Sequence, residues 1–172
     1  MLERNGLRLL TPGEKLLANE LFFNSVSYYQ VWVHHGSFLP FDMQGNHTAM
    51  TPLGEIWFES HVYQDDFFMA TVDFQHLFLH EMMHVWQYQH GMNVMMRGLF
   101  SWAADYTYDF DKKRLSDYSM EQQASIVADY WLFNRYEKTK YIELNNYKGY
   151  SRDEKSSALA SKYKKILRGF PE

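Results

Sequence analysis

From about Asp73 the chain runs without Pro or Gly to Gly91, and Leu77, Glu81, His84 and Tyr88 recur along it at steps of three and four. That spacing predicts one long helix. Gly91 is its predicted stop, because the left-handed residue after a last helical turn is least strained as glycine. Three other helix starts carry capping signals. Thr11-Pro12-Gly13-Glu14 puts Thr at the N-cap, Pro at the first helical position and Glu three residues after the cap, predicting a helix to about Phe22. Ser119 with Gln122 opens another from Met120 to about Tyr136, and Ser151 with Glu154 opens a last one that ends near Leu167.

Between the first helix and the long one the pattern changes. YYQVWV at 28–33 is β-branched and aromatic and reads as a strand; EIWF at 55–58 reads as a shorter one, with FFMA at 67–70 a weaker candidate. Gly36, Pro40, Gly45, Asn46, Pro52 and Gly54 punctuate the irregular chain around them. A loop-rich stretch joins Gly91 to about Asp117. The expectation is an α+β fold whose strands come from the N-terminal half.

At 172 residues, 46% hydrophobic and 22% charged, the chain is sized for one domain over 1–172 with a core of its own. A net charge of −4 argues against nucleic-acid binding, which needs clustered excess Lys and Arg. Lys162, Lys164, Lys165 and Arg168 read as a solvated helix face. There is no cysteine, so a metal would have to be held by His and carboxylate. The longest apolar run, Phe67 to Val72, is too short to span a bilayer. MLERNGLRLLTPGE carries charge where a signal peptide needs an apolar core, so the expectation is synthesis in the cytoplasm, with any export left to another machine.

The long helix carries the chemistry. In HEMMH, residues 80–84, His80 and His84 project from one face a turn apart and can reach one ion. Glu81 lies beside them, suited to a water on that ion rather than to the ion itself. Hydrolytic zinc sites divide the work in this way: the ion lowers the pKa of its water towards ~7 and a carboxylate takes the proton. The bland alternative is a helix with satisfied core histidines, but roughly 0.02 chance occurrences of the motif are expected in a chain of this composition.

Two histidines need a third protein ligand, and two residues compete for the place. His90 has the metzincin spacing, ten residues after His80, but that pattern needs Gly where this chain has Gln87. If the helix runs on, His90 points about 120° away from His84 and misses the metal. Glu121, one turn into its helix, is followed on the same face by the small residues Ala124, Ser125 and Ala128, which allow close approach to the motif helix. Glu121 is the better candidate. Tyr106, Tyr108 and Tyr118 lie between the two helices, where one could donate to a developing oxyanion; no spacing selects among them. Trp86 reads as packing of the helix against the sheet.

FLHEMMHVWQYQHG, the RG after it and YSMEQQASIVADYW together resemble the small bacterial metallopeptidase domains of the Rhs- and Vgr-related family, which include toxin domains fused to type VI secretion spikes. The likeness runs on through LTPGE, VWVHH, TPLGEIWF and DDFF, and so covers most of the chain. The resemblance implies a zincin-like fold: a small sheet packed on the long motif helix, a second helix bearing a metal ligand and a C-terminal helix. It implies Zn2+ held by His80, His84 and Glu121, with Glu81 as general base of a metallopeptidase acting on protein or on the peptide cross-links of a cell wall. It also implies type VI delivery into a target-cell periplasm, with a spike component and a cognate immunity protein as partners. The chain departs from the thermolysin version of the glutamate motif, which has Asp four residues after the ligand; here Ser125 stands there. Asp129, Asp65 and Asp66 are the candidates for orienting a metal-bound imidazole.

A different class of reading is a zinc-stabilised binding or adaptor module, closed by His80, His84, His90 and Glu121 with no open position. Such a site has no use for Glu81. A metal-free immunity or chaperone protein would leave the whole motif unexplained.

Overall fold

The capping residues decide where the helices begin. In the computed structural model, which describes residues 2–40, 44, 48–94 and 105–172 except the Glu137 side chain, helix α1 spans Pro12–Phe22. Thr11 Oγ1 accepts from the Glu14 amide, and Glu14 Oε2 accepts from the Thr11 amide. Glu14 is fully buried and also takes a two-pronged ion pair from Arg8 at 2.8 and 2.7 Å. The cap therefore doubles as a tie to the strand before it; removing either partner of such a buried pair costs ~3–5 kcal/mol.

Helix α2 spans Val72–Gln89 and contains the whole motif. It ends as expected: Gly91 has φ +80°, its N–H bonds the Tyr88 carbonyl, and the Met92 N–H bonds that of Gln87. Helix α3 spans Met120–Leu144, opened by the Ser119–Gln122 box, and runs beyond the expected end near Tyr136 because no helix breaker intervenes before Asn145. Helix α4 spans Ser156–Ile166. It starts later than expected: Ser151 and Glu154 form only a turn, and the Glu154 carboxylate pairs with Lys162 at 2.6 Å instead of capping.

Among the described residues four short strands make one mixed sheet, β1 Leu7–Leu9, β2 Trp32–His35, β3 Ala49–Met50 and β4 Ile56–Phe58, in the order β1-β2-β4-β3. Only the β2–β4 pairing is parallel, with Val33 opposite Ile56. Neither β1 nor β3 was legible in the pattern. Tyr28–Gln30, expected as strand, is a 3-10 turn, so β2 starts later. FFMA is likewise a 3-10 turn over Phe67–Met69, because the Asp66 carboxylate accepts from the Phe68 amide and curls the chain.

The buried side chains Val33, Ile56 and Phe58 of the sheet join α2 through a run of rings, Phe58 to Phe67 at 4.3 Å and Phe67 to Phe78 at 5.3 Å. Ala124, Ser125 and Ala128 are fully buried on α3, and small side chains there permit the close seam with α2 that the site needs. Trp86 is buried in the core; its ring meets His90 and Phe170, and its N–H donates to the Pro171 carbonyl. Lys164, Lys165 and Arg168 form the expected exposed face. Among the described residues no helix is long and apolar enough to cross a membrane.

Candidate metal centre

His80 and His84 are brought to the same point by helical spacing, and Glu121 meets them from the first turn of α3. Both Nε2 atoms lie 3.1 Å from one oxygen, Glu121 Oε2. One ligand atom from each of the three residues lies within 4.8 Å of the others. In a tetrahedral zinc site with bonds of ~2.0–2.1 Å, donor atoms stand about 3.3 Å apart. The two nitrogen–oxygen distances stand within a few tenths of an ångström of that spacing, and the nitrogen and carboxylate donors suit such an ion chemically. A hollow of about 40 Å³ beside the trio leaves room for an ion and water.

Burial alone would push the His84 imidazole down, but the charge and hydrogen bond of Glu121, with Glu81 and Gln87 behind them, hold it up at about 9. Burial likewise works to raise the Glu121 carboxyl, and is outweighed by His84 and His80, which hold it well below the usual carboxylate range.

The residue that orients His84 is Gln87, the one that breaks the metzincin pattern. His84 Nδ1–H donates to Gln87 Oε1 at 2.8 Å, which leaves Nε2 as the ring atom for a metal. The Gln87 amide in turn donates to the Met120 carbonyl and to Gln123 Oε1, each at 3.1 Å, so it is fixed from three sides and fully buried. None of the three aspartates proposed for this role fills it at either metal-site histidine. Asp129 accepts from His76 at 2.8 Å, Asp65 from the Leu2 amide, and Asp66 from Thr11 and the Phe68 amide. A glutamine three residues after a histidine, on a helix face otherwise buried, was the available signal.

Glu81 is also placed by a residue the sequence did not single out. Thr51, directly after β3, donates its hydroxyl to Glu81 Oε2 at 2.7 Å, aligning the carboxylate at the edge of the hollow. Nothing local in the sequence links residues thirty apart. Of the three tyrosines, only Tyr106 lies at the site, its ring 5.8 Å from that of His80. Burial first, then the charges of Glu121 and Glu81, raise its hydroxyl far above the ordinary range, so it stays a protonated donor. Tyr108 is buried against Asp129 and Tyr163, and Tyr118 donates to the Asp109 carbonyl. His90 is turned away: its Nδ1–H donates to the Trp86 carbonyl at 2.8 Å and its ring stacks on the Trp86 indole. Arg97 and Gly98 lie outside the described residues.

No protein-family model matches the chain. The chain is 33% identical, over 95% of its length, to the type VI secretion system spike protein VgrG2b of Pseudomonas aeruginosa, and it spans only 15% of that much longer protein. The solved effector domain of Pseudomonas aeruginosa VgrG2b matches with a TM-score of 0.68 at 34% identity, covering 82% of this chain and 84% of the domain. Sequence and fold therefore agree along nearly the whole of both, and the chain belongs to the family of the VgrG2b effector domain.

Proposed function

We propose that this protein is a zinc-dependent peptidase of zincin type, acting as a type VI secretion effector on protein or cell-wall peptide in the periplasm of a target cell. Kinship with the VgrG2b effector domain supports the effector part. The observation that carries the chemistry is the convergence of His80, His84 and Glu121 on one point with Glu81 beside it and outside the trio.

His80, His84 and Glu121 would hold the ion. When bound, it supplies Lewis acidity that brings the pKa of a water down towards ~7. Glu81, held by Thr51, accepts the proton of the attacking water and passes it to the departing amine. Tyr106 donates a hydrogen bond to the oxygen on which negative charge develops. Gln87 keeps His84 in one tautomer throughout. A spike component and an immunity protein are the expected partners. An adaptor with a closed, structural zinc would need His90 as its fourth ligand, and His90 is committed to Trp86.

The test is Glu81→Gln, which keeps Thr51 partnered. Purified wild type carries about one zinc per chain and cleaves peptides; the variant keeps zinc and melting temperature and loses ~100-fold or more in kcat/KM. Wild-type rates in Glu81→Gln would assign the chemistry elsewhere.

A further inference from the structure

A second cleft, of about 380 Å³, runs on from the metal trio: it shares His80, Glu81 and Tyr106 with the hollow beside the trio and adds His76, Leu77 and Asn146 to the wall. His76 stands one helical turn before His80 on the same face of α2. Its Nε2–H donates at 2.8 Å to Asp129, a fully buried carboxylate that also accepts from the Tyr108 hydroxyl and the Asn146 backbone amide. With Nε2 so occupied, Nδ1 is the ring atom left to accept a hydrogen bond. Among the described residues nothing donates to it, yet it is not one of the four side-chain polar atoms shut off from solvent without a partner, and the His76 side chain keeps 13% of its surface. The Asn146 side-chain amide is in the same condition, half-buried, within reach of solvent and without a hydrogen bond among the described residues.

The geometry points to a substrate subsite for a basic residue: His76 Nδ1 and the Asn146 side-chain carbonyl accept from the ammonium or guanidinium of a Lys or Arg next to the scissile amide. The inference rests on the peptidase reading and names part of its substrate. Such a side chain brings donors only, and both unanswered groups of the wall can accept. Charge favours it as well. Glu121 and Glu81 match the two charges of a bound Zn2+, and the carboxylate left over is Asp129, directly behind His76 and Asn146, where the low-dielectric wall does little to screen it. Leu77 gives the methylene stem an apolar surface to lie on while the charged end reaches the acceptors. An acidic side chain would meet Asp129 as repulsion, and a plain aliphatic one would strip water from His76 and Asn146 with no bond in return. Asp129 fixes the His76 ring and does not touch the substrate.

His76→Lys puts a positive charge at this point while keeping a donor for Asp129, and His76→Gln keeps both that donor and an acceptor for the substrate. Each zinc-loaded form digests two mixtures, proteome-derived peptides and cell-wall stem peptides that carry a free side-chain amine, with the cut sites read by mass spectrometry. Wild type is enriched for a basic residue on one side of the cut, and the mixture that is cut names its source. His76→Lys loses that preference by ~10–100-fold, the worth of a hydrogen bond to a charged group, and His76→Gln retains most of it. A readout independent of cleavage is the NMR signal of His76 Nδ1, titrated with N-acetyl-lysine N-methylamide or its norleucine analogue, which has the same stem and no amine. The lysine probe shifts the signal and the norleucine probe does not. Cleavage with the same residue preference in wild type and His76→Lys, and no shift with the lysine probe, overturns the subsite and leaves the peptidase standing. A shift with the lysine probe and no cleavage by wild type supports the cleft as a cation subsite and overturns the peptidase reading. If His76→Lys fails to fold, the titration of wild type decides alone: an equal response to the two probes, or none, overturns the inference.

Discussion

Replacing Gln87 by Leu should weaken zinc binding without touching a ligand. The substitution keeps a side chain of similar bulk, so no large void opens, but it removes the acceptor of His84 Nδ1–H and the donors to the Met120 carbonyl and Gln123 Oε1. His84 is then free to swing or to carry its proton on Nε2, the atom a metal needs. Loss of a group that orients a ligand typically costs ~10–100-fold in metal affinity. That range corresponds to ~1.4–2.8 kcal/mol. Stability should fall as well, by about 3 kcal/mol or more, for the three buried polar groups that lose Gln87 as a partner. Competition with a chromophoric chelator measures the affinity, and thermal melting of the zinc-free protein measures the fold. Gln87→Glu separates the two effects: it keeps an acceptor for His84 and loses both donated bonds, so affinity should recover to within ~3-fold of wild type while stability does not. Equal affinity in wild type and Gln87→Leu would refute the reasoning outright. Equal weakening by Leu and Glu would show that the effect travels through the fold and not through His84.

Three further outcomes are expected. Glu121→Ala should lose more than ~100-fold in zinc affinity, beyond what removal of an orienting residue does, whereas His90→Ala should bind as wild type; the reverse order would demand a break in α2 near Gln87. Zinc must displace the proton that His84 holds up to about 9 in the metal-free protein, so affinity should climb with pH from 6.5 by up to ~10-fold per unit and level off above about 9. A flat profile across that window, measured by calorimetry in two buffers, would contradict the proton count. Expression directed to the bacterial periplasm should be toxic and cytoplasmic expression tolerated, with growth curves as the readout and Glu81→Gln harmless in both; equal harmlessness of the wild type, with its zinc site intact, would count against the effector reading.

The helices were legible because their signals are local: Thr11 with Glu14, Ser119 with Gln122, and Gly91 after an unbroken run. The meeting of His80, His84 and Glu121 was legible for the same reason, since one helix sets two of them a turn apart and the small face after Glu121 lets its helix come close. What escaped was set by partners distant in the chain. Strand β1 is three residues held by β2, and β3 is two residues held by β4, too short for any alternation to show. Thr51 matters only because β3 delivers it to Glu81, and Asp129, a candidate partner for a metal-site histidine, is instead buried behind His76. Ser151 and Glu154 spelled a helix start correctly by composition, but Glu154 had a stronger partner in Lys162.

The hydrogen bond from Gln87 to the Met120 carbonyl fastens the first residue of α3 to the helix that carries both histidines. That bond crosses the seam between the two helices one residue before Glu121, a tie that does not run along the chain. Changes in the connection between the helices that leave this tie intact should leave the candidate metal centre where it is. Among relatives, Gln87 and Glu121 should change together or not at all, while the segment between α2 and α3 should vary more freely.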